Sequence, residues 1–479
     1  PSPDQPEVVV RGEIRRMEDS DWIVTLFLVN AQKEPKKLRD TAWIFQPELI
    51  VDSPDGRPVF RKRSLMNDSN RLDAHDHIES QSMAMLYRHK VEFAVGHGVG
   101  VHAETDPGDP QRAVRVSTRV VPVCEIPRQK HVTPSDAPDL AGLVLDMKEL
   151  SETGDAEFSN RLGILTNAYA KWIERERAKI EDPSFKLENY QLAFQKAVKN
   201  CSRALERIGE GLDLLGKDPH AAEAFRFANR AMWQQRIRTL YTSAIRRGEE
   251  TPIKDIDLPK NRSWYPFQLA FILLNLASVT DLHHPERSSE EKAVCDLLWF
   301  PTGGGKTEAY LGLTAYILAL RRLQGDFEGR SGQHGMAVLM RYTLRLLTLQ
   351  QFQRAATLLC ARESIRRENP AKWGEYPFRL GLWVGQRTTP NTAEQSREAI
   401  QRDHGAYRGS LFGAGTPAQI SHCPWCGYKI DKGRDIKVVS GTDRTVIYCG
   451  DPLGRCLFSP RNSPNEGLPA LVVDEDIYR

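Results

Sequence analysis

The chain has 479 residues, and at about 150 residues per domain that length implies roughly three domains. Lys and Arg number 66 against 63 Asp and Glu, a net charge of +3. This excludes both a polybasic nucleic-acid tail and an acidic solvating one, so any grip on nucleic acid must come from local patches. Hydrophobic residues make up 40% and charged residues 27%, and no stretch reaches the ~18 unbroken apolar residues of a membrane span. The expectation is a soluble, cytoplasmic protein with no membrane partner. Eight cysteines are too few for a disulfide framework, and four of them crowd into 423–456, the pattern of one metal site in a reducing compartment. The chain opens at Pro1, so a signal peptide is not legible.

Residues 1–136 read as a β-rich domain. Short β-branched and aromatic runs follow one another: Val8-Val9-Val10, Trp22 to Leu28, Trp43-Ile44-Phe45, Leu49-Ile50-Val51, Val91 to Val95 and Val114 to Val120. Turns such as Ser53-Pro54-Asp55-Gly56 separate them, and a small sandwich or barrel is the default fold for that texture. From 137 to 259 apolar residues recur at helical spacing on a charged background, as in Leu192, Phe194, Ala197, Val198 and Cys201, which predicts an α-helical domain. Pro252 and Pro259 punctuate the linker that closes it. Beyond residue 260 apolar β-runs alternate with helical stretches, the signature of a parallel α/β sheet. We assign 260–420 to an ATPase lobe, 421–460 to a metal-binding insertion and 461–479 to the continuation of the lobe.

The sharpest motif is Asp296 to Glu308, DLLWFPTGGGKTE. An apolar run ends in a glycine-rich turn, and a helix rich in Ala, Leu and Tyr follows. Gly303, Gly304 and Gly305 let backbone N–H groups converge on an anion at the helix N-terminus, with Thr302 and Glu308 flanking that nest. Lys306 can reach the β- and γ-phosphates of ATP, and the Thr307 hydroxyl can hold Mg²⁺. Phe300 stands where the full motif carries its first glycine, a loosening common in nucleic-acid helicases. Upstream, Trp264-Tyr265-Pro266-Phe267-Gln268 places a glutamine after a Pro-aromatic step. Its amide can pair with adenine N6 and N7 while Phe267 covers the base face; an amphipathic helix with one polar residue is the alternative. Downstream, Ala337 to Met340 reads as a buried strand running into Arg341-Tyr342-Thr343-Leu344-Arg345. Arg341, Thr343 and Arg345 are candidates for contacts to a nucleic-acid backbone, against the alternative of a solvated helix face.

His422-Cys423-Pro424-Trp425-Cys426-Gly427 and Cys449 to Cys456 give the spacing C-x₂-C-x₂₂-C-x₆-C. Two thiolate pairs, Cys423 with Cys426 and Cys449 with Cys456, suit a closed tetrahedral Zn²⁺ site. His422 is an alternative fourth ligand because a gap of six exceeds the usual two to four, and an iron–sulfur cluster is the rival occupant. His75, His77, His97 and His102 complete no site. Cys124, Cys201, Cys295 and Cys360 read as core thiols.

Near the end, Ala470-Leu471-Val472-Val473-Asp474-Glu475 looks like a strand leading to a magnesium-binding acidic pair, although 168 residues separate Asp474 from Lys306. No second lobe with an arginine finger follows, so the expectation is of a longer protein. Three strings, Tyr265 to Leu274, Leu298 to Leu313 and Arg341 to Thr348, resemble the DrmA-type helicase subunits of bacterial DISARM anti-phage systems, a branch of helicase superfamily 2. The match is close over roughly 260–479. The resemblance implies an ATP-dependent DNA helicase or translocase that binds single-stranded or tailed duplex DNA and works with another DISARM subunit resembling DrmB. It also implies that the true magnesium motif, ending Asp-Glu-x-His, lies beyond Asp474–Arg479. The alternative is a DNA-recognition and scaffolding subunit in which ATP binding gates assembly without unwinding. A motor acting on protein is a third reading, which Gln268 and the arginine-rich turn disfavour.

Overall fold

The computed structural model describes residues 5–17, 21–63, 74–121, 131–300, 303–342, 345–403 and 415–478, without the side chains of 74–77 and 345–349. The chain divides into two compact units, residues 1–128 with 176–198, and residues 129–175 with 199–479.

In the first unit, β1 (Val8–Arg16) and β2 (Trp22–Asn30) form an antiparallel ribbon whose register runs from Val8 opposite Asn30 to Arg16 opposite Trp22. A separate antiparallel sheet gathers around β6 (Arg112–Arg119), which pairs with β3 (Ile50–Asp52), β4 (Phe60–Arg61) and β5 (Gly100–Thr105). Among the described residues these strands make two small sheets and close no barrel. Trp43–Phe45 and Val91–Val95 lie outside any strand, and helix α1 (Ala74–Leu86) interrupts the β texture. The reason is general: a three- to five-residue apolar run becomes a strand only where a partner lies alongside. Leu187, Ala193, Phe194 and Met85 form this unit's own small core.

The second unit is mainly helical. Its core joins α2 (Met147–Ser151), α3 (Phe158–Ala178), α4 (Gln191–Lys217), α5 (Pro219–Arg246), α7 (Pro266–Thr280), α9 (Lys306–Gln324) and α10 (Arg345–Glu368); a short α6 (Ile253–Ile256) and α8 (Pro285–Ser288) lie between them. Residues on both sides of the boundary drawn at 259/260 therefore share one core. Helix α5 starts cleanly because the Asp218 carboxylate accepts from the N–H groups of His220 and Ala221, at 2.8 and 3.1 Å. Such a cap contributes about 1 kcal/mol. Ala221, Ala222, Ala224, Ala228 and Ala231 are buried along α5, small residues that let α9, α10 and α2 approach it closely.

The parallel sheet expected beyond residue 260 is reduced, among the described residues, to one short ladder. After α11 (Pro370–Trp373), β7 (Leu380–Gly381) pairs in parallel with β10 (Ala470–Leu471). The apolar runs 297–300 and 337–340 enter no ladder, and Leu297 and Trp299 are 81% and 84% exposed. Sequence hydrophobicity marked both as buried strands, yet hydrophobicity supplies no pairing partner. A second core joins Phe352, Ala356 and Cys360 of α10 to the cysteine segment, whose hairpin is β8 (Ile436–Val438) with β9 (Thr445–Ile447), and to Val472. The 421–460 insertion is thereby packed into the unit. Helices α12 (Ala393–Asp403) and α13 (Asp474–Tyr478) complete it. No helix among the described residues is long and apolar enough to cross a membrane.

Candidate phosphate loop and metal centre

Gly303 and Gly305 adopt φ of +84° and +91°, the left-handed region that costs glycine nothing. Gly305 is the N-cap of α9, so Lys306 and Thr307 occupy its first turn and the free N–H groups of that turn face the loop. Lys306 and Thr307 are half-buried, Gly304 likewise, and Gly303 is exposed. The loop is thus open to solvent at its crown, as a nucleotide phosphate would require. Thr302 lies outside the described residues.

Behind the crown, Glu308 is buried and pairs with Arg354 of α10, with Arg236 of α5 at 3.7 Å. It was grouped with the phosphate-facing residues in the sequence; its carboxylate instead ties the loop helix to two neighbours. Gln268 is also buried. Its Oε1 accepts from the Tyr265 N–H at 2.8 Å, and its Nε2 donates to the Gly305 carbonyl at 2.7 Å. Both ends of the amide are engaged with backbone, so Gln268 braces the phosphate loop. One N–H and one lone pair of the amide are left over by these bonds. Phe267 lies face to face with Phe300 at 4.1 Å, and both rings are nearly parallel to His131 and Tyr265. His131 carries no motif and was not singled out in the sequence.

The four cysteines converge. The Sγ atoms of Cys423, Cys426, Cys449 and Cys456 all lie within 4.8 Å of one another, with Cys423 to Cys456 at 3.9 Å and Cys426 to Cys449 at 3.3 Å. A tetrahedron of thiolates around Zn²⁺ at about 2.3 Å has sulfur–sulfur edges of about 3.8 Å, so the donor set fits a structural zinc ion. Gly427 (φ +83°) turns the first knuckle, and any Cβ there would press within 3.1 Å of Ile245. The long second gap is organised by Asp451. Its carboxylate accepts from the N–H groups of Leu453, Arg455 and Cys456 at 3.0, 2.7 and 2.8 Å. That side chain makes a six-residue spacing equivalent to a tight knuckle.

Burial pushes the Cys423 thiol well up, whereas hydrogen bonds from Cys423 and then Cys426 and Cys449 pull Cys456 down. A divalent ion is what allows four thiolates to sit this close together. His422 bonds Ser421 at 3.1 Å and does not join the four. Arg238 of α5 lies over the Trp425 ring at 4.0 Å and donates to its carbonyl at 3.3 Å. Burial lowers its pKa, while Cys456, Cys426 and Cys423 act to raise it. Such a cation offsets the negative charge of a loaded thiolate site. Nothing in the sequence marked it beyond its position on a helix.

Other residues separate. Arg341 is exposed; Thr343 and the Arg345 side chain lie outside the described residues, as do Cys124 and the side chains of His75 and His77. His97 and His102 are exposed. Cys360 is buried as expected, but Cys295 is exposed and Cys201 only half-buried, because the apolar run leading to the phosphate loop is not covered. At the end of β10, Glu475 Oε2 accepts from the Ala393 N–H at 3.0 Å and Asp476 Oδ2 from the Thr445 N–H at 2.9 Å. Asp474 keeps a buried Oδ1 without a hydrogen-bond partner, and burial raises its pKa.

No protein-family model matches the chain. It is 33% identical over 477 residues, 96% of its length, to the DISARM protein DrmA of Bacillus paralicheniformis (strain ATCC 9945a / NCIMB 11709 / CD-2). The chain spans 38% of the length of that relative.

Proposed function

We propose that this chain, a DrmA-type DISARM protein by the identity it carries over 96% of its length, supplies the ATP-binding lobe of a DNA helicase or translocase in an anti-phage defence complex. The observation that carries the reading is the loop itself. Two left-handed glycines open the N-terminus of a 19-residue helix whose first two residues are Lys306 and Thr307. Backbone N–H groups and the helix dipole favour a phosphate there, and the Lys306 ammonium neutralises charge that grows during phosphoryl transfer. Mg²⁺, when bound, would bridge the β- and γ-phosphates beside the Thr307 hydroxyl. Gln268 keeps the loop in register with α7, and Phe267 offers a ring face to the base.

On this reading 260–420 and 461–479 belong to a RecA-like lobe of superfamily 2 type, preceded by a β-rich and a helical domain. The 421–460 segment is a structural Zn²⁺ module held by Cys423, Cys426, Cys449 and Cys456. Arg341, Thr343 and Arg345 lie where the lobe meets the DNA backbone, and the partner is a DISARM subunit resembling DrmB. The second reading, an ATP-gated scaffold, draws on the closed ring stack beside the loop. Hydrolysis by the complete DrmA-type protein, with and without tailed duplex DNA, separates the two when strand displacement is followed in parallel. DNA-stimulated hydrolysis with displacement supports the motor; nucleotide binding without displacement supports the scaffold. Hydrolysis at the parental rate by Lys306→Ala would remove the phosphate-loop assignment altogether.

A further inference from the structure

Beside the phosphate loop, the rings of Tyr265, His131, Phe300 and Phe267 lie within 12° of parallel. Tyr265 and His131 stack at 3.5 Å between centroids and Phe300 and Phe267 at 4.1 Å, and the two pairs lie side by side, with Phe267 5.6 Å from His131 and 6.3 Å from Tyr265. The Tyr265 ring lies 3.6 Å from the point where a Cβ on Gly305 would stand, so a base stacked on it would adjoin phosphates held by the loop. A planar base inserted between two rings needs faces about 7 Å apart, twice the ~3.5 Å of carbon–carbon contact. Neither stacked pair leaves such a gap. A base reaches Tyr265's covered face only by displacing a ring.

Three of the four rings are built into the lobe. Tyr265 is fixed through its N–H to Gln268, Phe267 stands in the first turn of α7, and Phe300 leads into the loop. His131 differs. Its Nδ1 is buried without a hydrogen-bond partner, and burial holds the imidazole toward its neutral form. The turn that follows closes on itself, the Thr133 N–H and hydroxyl donating to Asp136 at 3.0 and 2.6 Å. Ring contact is therefore what seats this side chain. We propose that His131 occupies the place a purine base takes against Tyr265, and that nucleotide binds by exchanging the base for the imidazole. The proposal rests on the phosphate-loop reading. Selectivity at this position follows stacking strength: a purine displaces the imidazole better than a pyrimidine does.

Titration calorimetry of the full chain with Mg·ATP and with Mg·tripolyphosphate, which has the phosphates and no base, tests it. His131→Ala should tighten ATP about two- to tenfold, the worth of one aromatic stack, and leave tripolyphosphate unchanged. His131→Phe, a ring that stays seated, should bind ATP no better than the parent. A gain for ATP alone is not what loss of a merely structural residue produces. ATP affinity that is unchanged or weaker in His131→Ala, with tripolyphosphate still bound, overturns the exchange and leaves the phosphate loop standing. A parent that binds neither ligand overturns both.

Discussion

The phosphate loop and the cysteine centre are both built from glycine turns with converging polar groups, yet they are opposite in construction. In the cysteine centre three of the four donors are buried and Cys426 is half-buried, and neighbouring groups hold them: Asp451 ties down its own backbone, Arg238 supplies charge, and Trp425 packs edge-on to Phe458 at 6.0 Å. In the phosphate loop the crown is open, and the side chains that hold it, Gln268 and Glu308, act from behind. Among the described residues, Gly303 at the crown is exposed. A site closed on itself is suited to holding a fold together, whereas one braced only from behind is suited to a ligand that comes and goes.

The comparison is broken most severely at the metal. Structural zinc sites contribute about 10–16 kcal/mol of apparent binding energy, comparable to the 5–15 kcal/mol of a typical domain's stability. Cys456→Ser, or chelation, should therefore unfold the β8–β9 hairpin and the two knuckles. Circular dichroism and hydrogen exchange localised to 421–460 would follow the loss. Elemental analysis should find about one zinc per chain and no iron; charge-transfer absorbance with stoichiometric iron would assign the tetrad to a cluster instead. Acidification should act in the same direction, since protons compete with the metal for thiolates. At the loop the corresponding change, Lys306→Ala, should leave the melting temperature near the parent's while hydrolysis falls to background. A large loss of stability there would mean the loop is not the open site its geometry describes.

Two smaller effects sharpen the contrast. Arg238→Met keeps most of the packing volume and removes the cation above Trp425. A desolvated contact of that type is worth about 2 kcal/mol, so the zinc should remain bound while the chain loses that order of stability in urea. Gln268→Ala removes the amide bond to Gly305. Loss of a net hydrogen bond costs about 0.5–1.5 kcal/mol, and a loosened loop should weaken ATP and GTP alike. A selective loss of ATP would show instead that the amide leaves Gly305 to read adenine.

Much of this was legible in the residues, and for different reasons. The cysteine tetrad was, because thiolate pairs on glycine and proline knuckles have few other uses, and so was the left-handed glycine turn that opens α9, because three glycines before Lys-Thr set backbone geometry locally. The long helices α4 and α5 were visible in their periodicity, and α9 in the Ala, Leu and Tyr that follow the glycine turn. The parallel sheet was not: Leu297 to Phe300 and Ala337 to Met340 are hydrophobic enough for buried strands, but pairing is a property of neighbours far along the chain. The roles of Arg238, His131 and the Arg354–Glu308 pair were invisible for the same reason. Each depends on which helix or turn comes to lie beside it, and an isolated arginine or histidine carries no spacing to read.

Arg341 and Arg345 set the smallest expected effect and the one that bears on DNA. The chain is nearly neutral, with 66 basic against 63 acidic residues, so binding would fall to a few local cations. Arg341 is exposed, just before the helix that carries Arg354 to Glu308. Each phosphate contact releases counterions, so losing one arginine should flatten the slope of log affinity against log salt by about 0.7–0.9. Backbone contacts carry no base information, so Arg341→Ala and Arg345→Ala should weaken all sequences equally. They should also reduce DNA-stimulated hydrolysis more than basal hydrolysis, because they stand apart from the phosphate loop in sequence. Salt titrations on single-stranded and tailed duplex DNA read this directly. If the parental slope survives both substitutions, these two arginines do not contact a DNA backbone.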